Sequence, residues 1–328
     1  MAKMRILVAG VGAVGGFVAA RLAEAGQDVT VLARSRRAAQ LREDGLRLAG
    51  ADGTRALRPS VVTATELGAA EPGAAAASAV GPGAGYDAVL VAVKADALDQ
   101  VMKDIAPAVG PGTAIVPFLN GMAHLDALAG AFGTAVLGGV LRVMTDLDGD
   151  GTIRVLAPLF EVELGELDGA RSDRADRLAA AFRTAGADVA VRTDIVGAMW
   201  AKWVFIASIG AVTSLMRAPV GDIVAVTGGE DFARSVLAEA AGAAAAAGHP
   251  VPPAQLAATM RTLTAAGAPT TSSLSRDLMA GRPTEVVAVL ADFAGRAAAA
   301  GAGTPLIALS ALALRVHNRR LAAVVQAP

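Results

Sequence analysis

The sequence predicts a parallel α/β half followed by an all-helical half. Three observations carry this. Short β-rich runs alternate with helical patterns over the first half, as in a parallel sheet whose strands are joined by helices. Near Thr193 the strand patterns stop and long helical patterns take over. The 328 residues suit two ordinary domains, and 54% apolar residues allow each a core. The expected domains are 1–193 and 194–328.

Taken in order, Met4–Ala9 reads as a buried strand and Val14–Ala25 as a helix closed by Gly26. Val29–Ala33 is a second strand, Leu46–Leu48 and Ser60–Val62 weaker ones. The run 68–85 is almost wholly Gly, Ala, Pro and Ser and is expected to be a surface loop. Ala88–Val93 is a strongly apolar strand, Ala97–Val109 a helix and Ala114–Phe118 a strand. Val136–Thr145, Gly151–Leu156 and Glu161–Gly165 read as an antiparallel tail to this sheet, turning at Asp148-Gly149-Asp150-Gly151. A helix over Arg171–Ala185 and a strand over Ala187–Arg192 close the first half. Helices are predicted beyond it over Ile195–Met216, Asp231–Ala247, Pro253–Leu263, Thr284–Ala300 and Thr304–Val324.

Composition excludes several chemistries. Without cysteine there is no disulfide scaffold, thiolate metal site or cysteine nucleophile. His124, His249 and His317 are the only histidines and lack ligand spacing, so no metal site is expected. With 29 basic and 30 acidic residues, nothing marks the chain for nucleic acid or an anionic membrane. The N-terminus lacks a signal-peptide pattern and runs such as Ala240–Gly248 are too short to span a bilayer, so a cytoplasmic protein is expected.

The first strand ends in Gly10-Val11-Gly12-Ala13-Val14-Gly15, a G-x-G-x-x-G run that opens a helix. In that setting it marks a Rossmann-type dinucleotide site. Gly10 allows the tight turn, Gly12 the approach of a pyrophosphate and Gly15 close helix–strand packing. Gly10, Gly12, Ala13, Val14 and Gly15 are the expected contacts, with the helix N-terminus meeting the charge. After strand two, NAD binders usually carry a carboxylate for the ribose hydroxyl. Here the chain reads Leu32-Ala33-Arg34-Ser35-Arg36-Arg37. Guanidinium groups suit a 2′-phosphate, so NADP(H) is favoured, with Arg34 as its contact and Arg36 or Arg37 as possible solvated helix-start residues.

Further landmarks follow in order. They are Val91-Ala92-Val93-Lys94, Asn120-Gly121, Trp200-Ala201-Lys202, Arg217-Ala218-Pro219-Val220-Gly221, Thr271-Ser272-Ser273, Asp277-Leu278, Gly281-Arg282 and Thr284-Glu285. With the glycine loop and Arg34, they make the chain resemble the ketopantoate reductase (2-dehydropantoate 2-reductase) family along almost its whole length. The resemblance implies a Rossmann domain, a helical domain like the C-terminal one of 6-phosphogluconate dehydrogenase, and NADPH-dependent reduction of a 2-oxo acid. The family default is 2-dehydropantoate to pantoate, in pantothenate biosynthesis. It further implies Lys94 at the coenzyme's phosphates, Asn120 near the nicotinamide end and the substrate, Ser273 on the substrate, and Lys202 and Glu285 as the catalytic pair. A cation there would stabilise the charge that hydride arrival leaves on oxygen, and would donate a proton. Read alone, Lys202 is a lysine lying along Trp200 and Trp203, Glu285 an acidic first-turn residue and Asn120-Gly121 a turn.

The resemblance fails at the substrate. Family asparagines one and two turns past the lysine are Ile206 and Gly210 here, both still expected to line the substrate; two more are Val220 and Thr270. The family's E-x-D-x-x-N run is Glu285-Val286-Val287-Ala288-Val289-Leu290. A pocket more apolar than ketopantoate needs is expected, for a bulkier 2-oxo acid, another carbonyl or an imine. A non-catalytic dinucleotide sensor is the remaining alternative. His124 is expected to be solvated at a helix start, with the pocket as its other possible setting. Small-residue faces in the helical half suit a homodimer.

Overall fold

The computed structural model describes residues 3–69 and 85–326, so the run expected to loop at 68–85 lies, apart from its ends, outside the described residues. By contacts the chain divides into two units. Met1–Leu119 with His124–Ile195 form the first; Asn120–Ala123 with Val196–Pro328 form the second. Asn120-Gly121 therefore groups with the helical part, although it lies far upstream of the expected boundary.

The first unit begins with β1 (Arg5–Ala9), α1 (Ala13–Glu24), β2 (Asp28–Leu32) and α2 (Ser35–Asp44). Then come β3 (Leu46–Gly50), β4 (Gly53–Leu57), β5 (Ser60–Val62) and α3 (Ala64–Ala69). After these, β6 (Ala88–Val91), α4 (Leu98–Ile105) and β7 (Ala114–Pro117) complete a five-stranded sheet in the order β5-β2-β1-β6-β7. Every pairing in it is parallel. Ile6, Leu7 and Val8 of β1 are all fully buried, as expected of a strand covered on both faces.

The expected antiparallel tail belongs instead to a second sheet. After α5 (Ala123–Phe132), β8 (Leu137–Leu147) pairs antiparallel with β9 (Ile153–Glu166). The chain then runs through α6 (Asp173–Thr184) to β10 (Asp188–Val191), and this sheet is ordered β10-β9-β3-β4. One 14-residue strand replaces the two expected at 151–165. Pro158 lies inside it. It is accommodated because the register slips there: Val143 pairs Phe160 and Met144 pairs Ala157, leaving Pro158 outside the ladder. Phe160 meets Phe17 of α1 at 5.0 Å and Phe182 of α6 at 6.2 Å, both edge to face, so these helices pack on the second sheet. β4 escaped the sequence reading because its alternating Gly-Thr-Arg-Ala-Leu is largely exposed.

The second unit is helical: α7 (Ile195–Met216), α8 (Val220–Val224), α9 (Gly229–Ala246), α10 (Pro253–Leu263), α11 (Ser273–Met279), α12 (Asp292–Ala299) and α13 (Pro305–Gln326). The helix expected over 284–300 is not regular: a π turn at Val287–Ala291 precedes α12. α7 is long and apolar enough to cross a bilayer, contrary to the reading that every apolar run is too short. In the fold, 67% of its apolar window is buried. Trp203 of α7 packs edge to face on Phe293 of α12 at 4.9 Å, beside Trp200 at 5.1 Å.

Candidate active site

In the first unit, β1 delivers the glycine loop to the start of α1. Gly10 has φ +99°, and a Cβ there would stand 2.5 Å from the Ala92 carbonyl oxygen, so only glycine fits. A Cβ on Gly15 would overlap the Gly10 carbonyl oxygen and come within 3.0 Å of Ala92 Cβ. Gly12 is different. Nothing lies within 4 Å of a Cβ built on it, and as the N-cap of α1 it brings no side chain to the first-turn N–H groups. That open, uncapped helix start fits a pyrophosphate. Ala13 and Val14, half-buried, begin the helix.

β2 and β6 flank β1, so the residues that follow them sit on either side of this loop. Arg34 follows β2 as the exposed N-cap of α2, and Lys94 follows β6, also exposed. No carboxylate stands between Leu32 and Arg37. Arg37 is committed elsewhere. Its Nη1 donates to Gln40 Oε1 at 2.7 Å and its Nη2 to the Gly151 carbonyl at 3.0 Å, and burial lowers its pKa. It ties α2 to the β8–β9 turn. Uncapped helix, glycine loop and flanking cations together fit a dinucleotide phosphate backbone.

In the second unit, Lys202 and Ile206 lie half-buried on α7, one turn apart, with Gly210 buried a turn further on. Thr213, on the same face, is buried and joins α7 to α11. Its Oγ1 donates to the Ile209 carbonyl at 2.6 Å, lies 2.8 Å from Ser272 Oγ, and accepts from the Ser272 N–H at 3.3 Å. Ser272 caps α11 by accepting from the Ser275 N–H at 3.0 Å. Ser273, the expected substrate contact, is the exposed first residue of that helix.

Glu285 is half-buried and lies just before the π turn. Asn318 of α13 grips the residue before it: Oδ1 accepts from the Thr284 N–H at 2.9 Å and from Thr284 Oγ1 at 3.1 Å, while Nδ2 donates to the Thr284 carbonyl at 2.9 Å. Gly121, with φ +87°, sits so close to the Ala288 carbonyl of the π turn that any Cβ would overlap it. Asn120, beside it, is half-buried. His124 is buried on α5 with Leu125 and Leu128, which corrects the expectation of a solvated residue. No local pattern marks Asn318 or Thr213, because they act through contacts with residues 34 and 59 positions away, respectively.

Known proteins show the same arrangement of chain. The family model described as "Ketopantoate reductase PanE/ApbA" matches residues 6–169, and the corresponding C-terminal model matches 194–317. The chain belongs to the ketopantoate reductase family. It is 34% identical to the "Uncharacterized oxidoreductase YkpB" of Bacillus subtilis, covering 86% of this chain and 88% of that one. It is 30% identical to the 2-dehydropantoate 2-reductase of Halobacterium salinarum, over 96% and 99%. The structure of the Geobacter metallireducens 2-dehydropantoate 2-reductase superposes with a TM-score of 0.82 at 27% identity, covering 95% of this chain and 99% of that one. D-mandelate dehydrogenase, solved with NADH and anilino(oxo)acetate, shares the fold at TM-score 0.84 and 18% identity, over 97% and 99%. The protein thus belongs to a family of oxidoreductases.

Val220 and Thr270, two positions where the resemblance leads to asparagine, are bonded to each other through their backbones. The Val220 N–H donates to the Thr270 carbonyl at 2.9 Å, and Gly221 N–H to Ala268 at 2.9 Å. Val220 is fully buried. At Gly210 the space is filled: a Cβ would stand 3.0 Å from Leu274 Cδ1 and 3.8 Å from Leu290 Cδ2.

Proposed function

We propose that the protein is an NADPH-dependent reductase that converts a 2-oxo acid to the 2-hydroxy acid. The glycine loop carries this reading: in its family setting, an open Gly12 at an uncapped helix start has a pyrophosphate as its natural occupant. Gly10, Gly12, Ala13, Val14 and Gly15 bind that group, and Lys94 contacts the phosphates. Arg34 supports NADPH over NADH, since its exposed guanidinium follows β2 where an NAD site would present a carboxylate. The coenzyme, when bound, supplies the hydride. Lys202 meets the negative charge that builds on the substrate oxygen and gives it a proton, Glu285 orients the ammonium group, and Asn120 and Ser273 hold the substrate.

A second reading concerns the substrate's substituent. Leu274 and Leu290 crowd Gly210, where the family carries an asparagine, and Ile206 is apolar one turn earlier. This supports a substrate with an alkyl or aryl group in place of ketopantoate's hydroxyl-bearing one, because a buried hydroxyl without partners is costly.

The test is steady-state reduction of ketopantoate, an alkyl and an aryl 2-oxo acid with NADPH and with NADH. The expected result is turnover with NADPH preferred and with the less polar acids ahead of ketopantoate. Lys202→Ala should lower kcat by about 10²–10⁴-fold and leave NADPH affinity in place. Turnover that survives that substitution would sink the reductase mechanism; a strong preference for ketopantoate would sink the second reading.

A further inference from the structure

The segment that carries Glu285 is held at both ends by side chains that take no part in the proposed reaction. On its upstream side, Asn318 makes three hydrogen bonds to Thr284, and His317 Nε2 lies 3.0 Å from the Arg282 carbonyl. α13 thus fixes the extended stretch that leads into Glu285. On the downstream side comes the π turn. There the Asp292 N–H bonds five residues back to Val287, while the Val289 N–H bonds four residues back to Glu285 at 3.1 Å.

Such a turn inserts one residue into an otherwise regular helix and interrupts its four-apart ladder, so its carbonyls need donors from elsewhere. Trp203 supplies one: its indole N–H donates to the Val289 carbonyl at 2.9 Å, and the bond is buried. The ring cannot follow if the turn relaxes. It is 1% exposed and wedged against Phe293 and Trp200. Phe293 is itself fully buried, so α12 is anchored below the turn. A reversion to α-helix would therefore be taken up above it, by rotating the upstream residues about 100° and sliding them about 1.5 Å, and Glu285, two residues before the turn, is among these. Gly121 has its Cα against the Ala288 carbonyl, so the same turn also abuts the Asn120-Gly121 pair.

We propose that Trp203 and Asn318 are positioning residues for Glu285: Asn318 fixes the backbone before it and Trp203 preserves the π turn after it. The inference rests on the reductase reading only for its kinetic consequences. Trp203→Phe removes the N–H and keeps an aromatic ring, though with a smaller side chain; Asn318→Ala removes the grip on Thr284 from a half-buried position. Each variant is expected to lower kcat for the preferred 2-oxo acid at least 10-fold, with the dissociation constant of NADPH within twofold of the parent. In a Glu285→Gln background neither should lower kcat further, since the group they position is already gone. A purely structural role would add its loss to that of Glu285→Gln, and that outcome overturns the proposal, as does an unchanged kcat in both variants. Should the parent reduce no 2-oxo acid at all, the functional reading falls and crystal structures of the two variants decide this one. A π turn relaxed in Trp203→Phe and a Glu285 backbone displaced in both would sustain it. An unmoved Glu285 would end it.

Discussion

Leu274 occupies the space beside Gly210: a Cβ at residue 210 would stand 3.0 Å from Leu274 Cδ1. Leu274 is 3% exposed and is the second residue of α11, next to Ser273. Leucines, and not open volume, thus surround Gly210. Gly210→Asn alone should crowd Leu274. Combined with Leu274→Ala, it should fit and restore a polar partner. The double variant is expected to raise kcat/KM for ketopantoate relative to an alkyl 2-oxo acid by about 10-fold or more, a hydrogen bond's worth of discrimination. Competition assays measure the ratio, and no change would show that residue 210 does not read the substrate.

Coenzyme choice is expected to reside in Arg34 and not in Arg37. Arg34→Ala should weaken NADPH binding about 10–100-fold and hardly affect NADH, as loss of a charge-assisted phosphate contact would. Arg37→Ala should affect both coenzymes alike and lower stability instead, since its guanidinium links Gln40 and Gly151. Fluorescence titration with each coenzyme separates these outcomes. Equal losses for NADPH and NADH in Arg34→Ala would contradict the assignment.

The buried Thr213–Ser272 contact gives a stability prediction. Thr213→Val keeps the volume but leaves the Ser272 hydroxyl and N–H without their acceptor at 2.8 and 3.3 Å. A buried group stranded in this way costs about 1–3 kcal/mol. Thr213→Ser should recover most of that. Urea unfolding of the two variants checks it, and a Thr213→Ser variant less stable than Thr213→Val would mean that the methyl group, not the hydroxyl, is what matters at 213.

Much of this architecture was legible in the chain. The glycine loop announced itself because its residues are consecutive and each glycine answers a local constraint. α7 and α10 were readable to the residue because their helical patterns are uninterrupted. What was not legible depends on contacts distant in sequence. The two strands expected at 151–156 and 161–165 are one, β9, because a register slip against β8 absorbs the residues between them. The π turn at Val287–Ala291 looked like ordinary helix, since a run of Val, Ala and Leu carries no mark of a five-apart bond. Asn318, near the end of α13, had no motif around it at all.

Acid should destabilise the first unit through Glu163, which is 8% exposed and accepts from Arg142 Nη1 at 2.7 Å and Arg192 Nε at 2.6 Å. Burial pushes this carboxyl up, but hydrogen bonds and charge from the two arginines outweigh it and leave the pKa below the ordinary value. A carboxyl with a lower pKa folded than unfolded adds stability in full above its unfolded value of about 4.3; that contribution is lost as pH falls through the lower folded value. Glu163→Gln should therefore cost about 1–3 kcal/mol at pH 7, the worth of charge-assisted hydrogen bonds, because Arg142 and Arg192 are 33% and 46% exposed and stay partly in water. The gap between parent and variant should then narrow below about pH 4, as the parent takes up the proton that the variant never needed. Urea midpoints at pH 7 and pH 3.5 measure the gap. If it stays constant across that interval, Glu163 does not titrate as these contacts require.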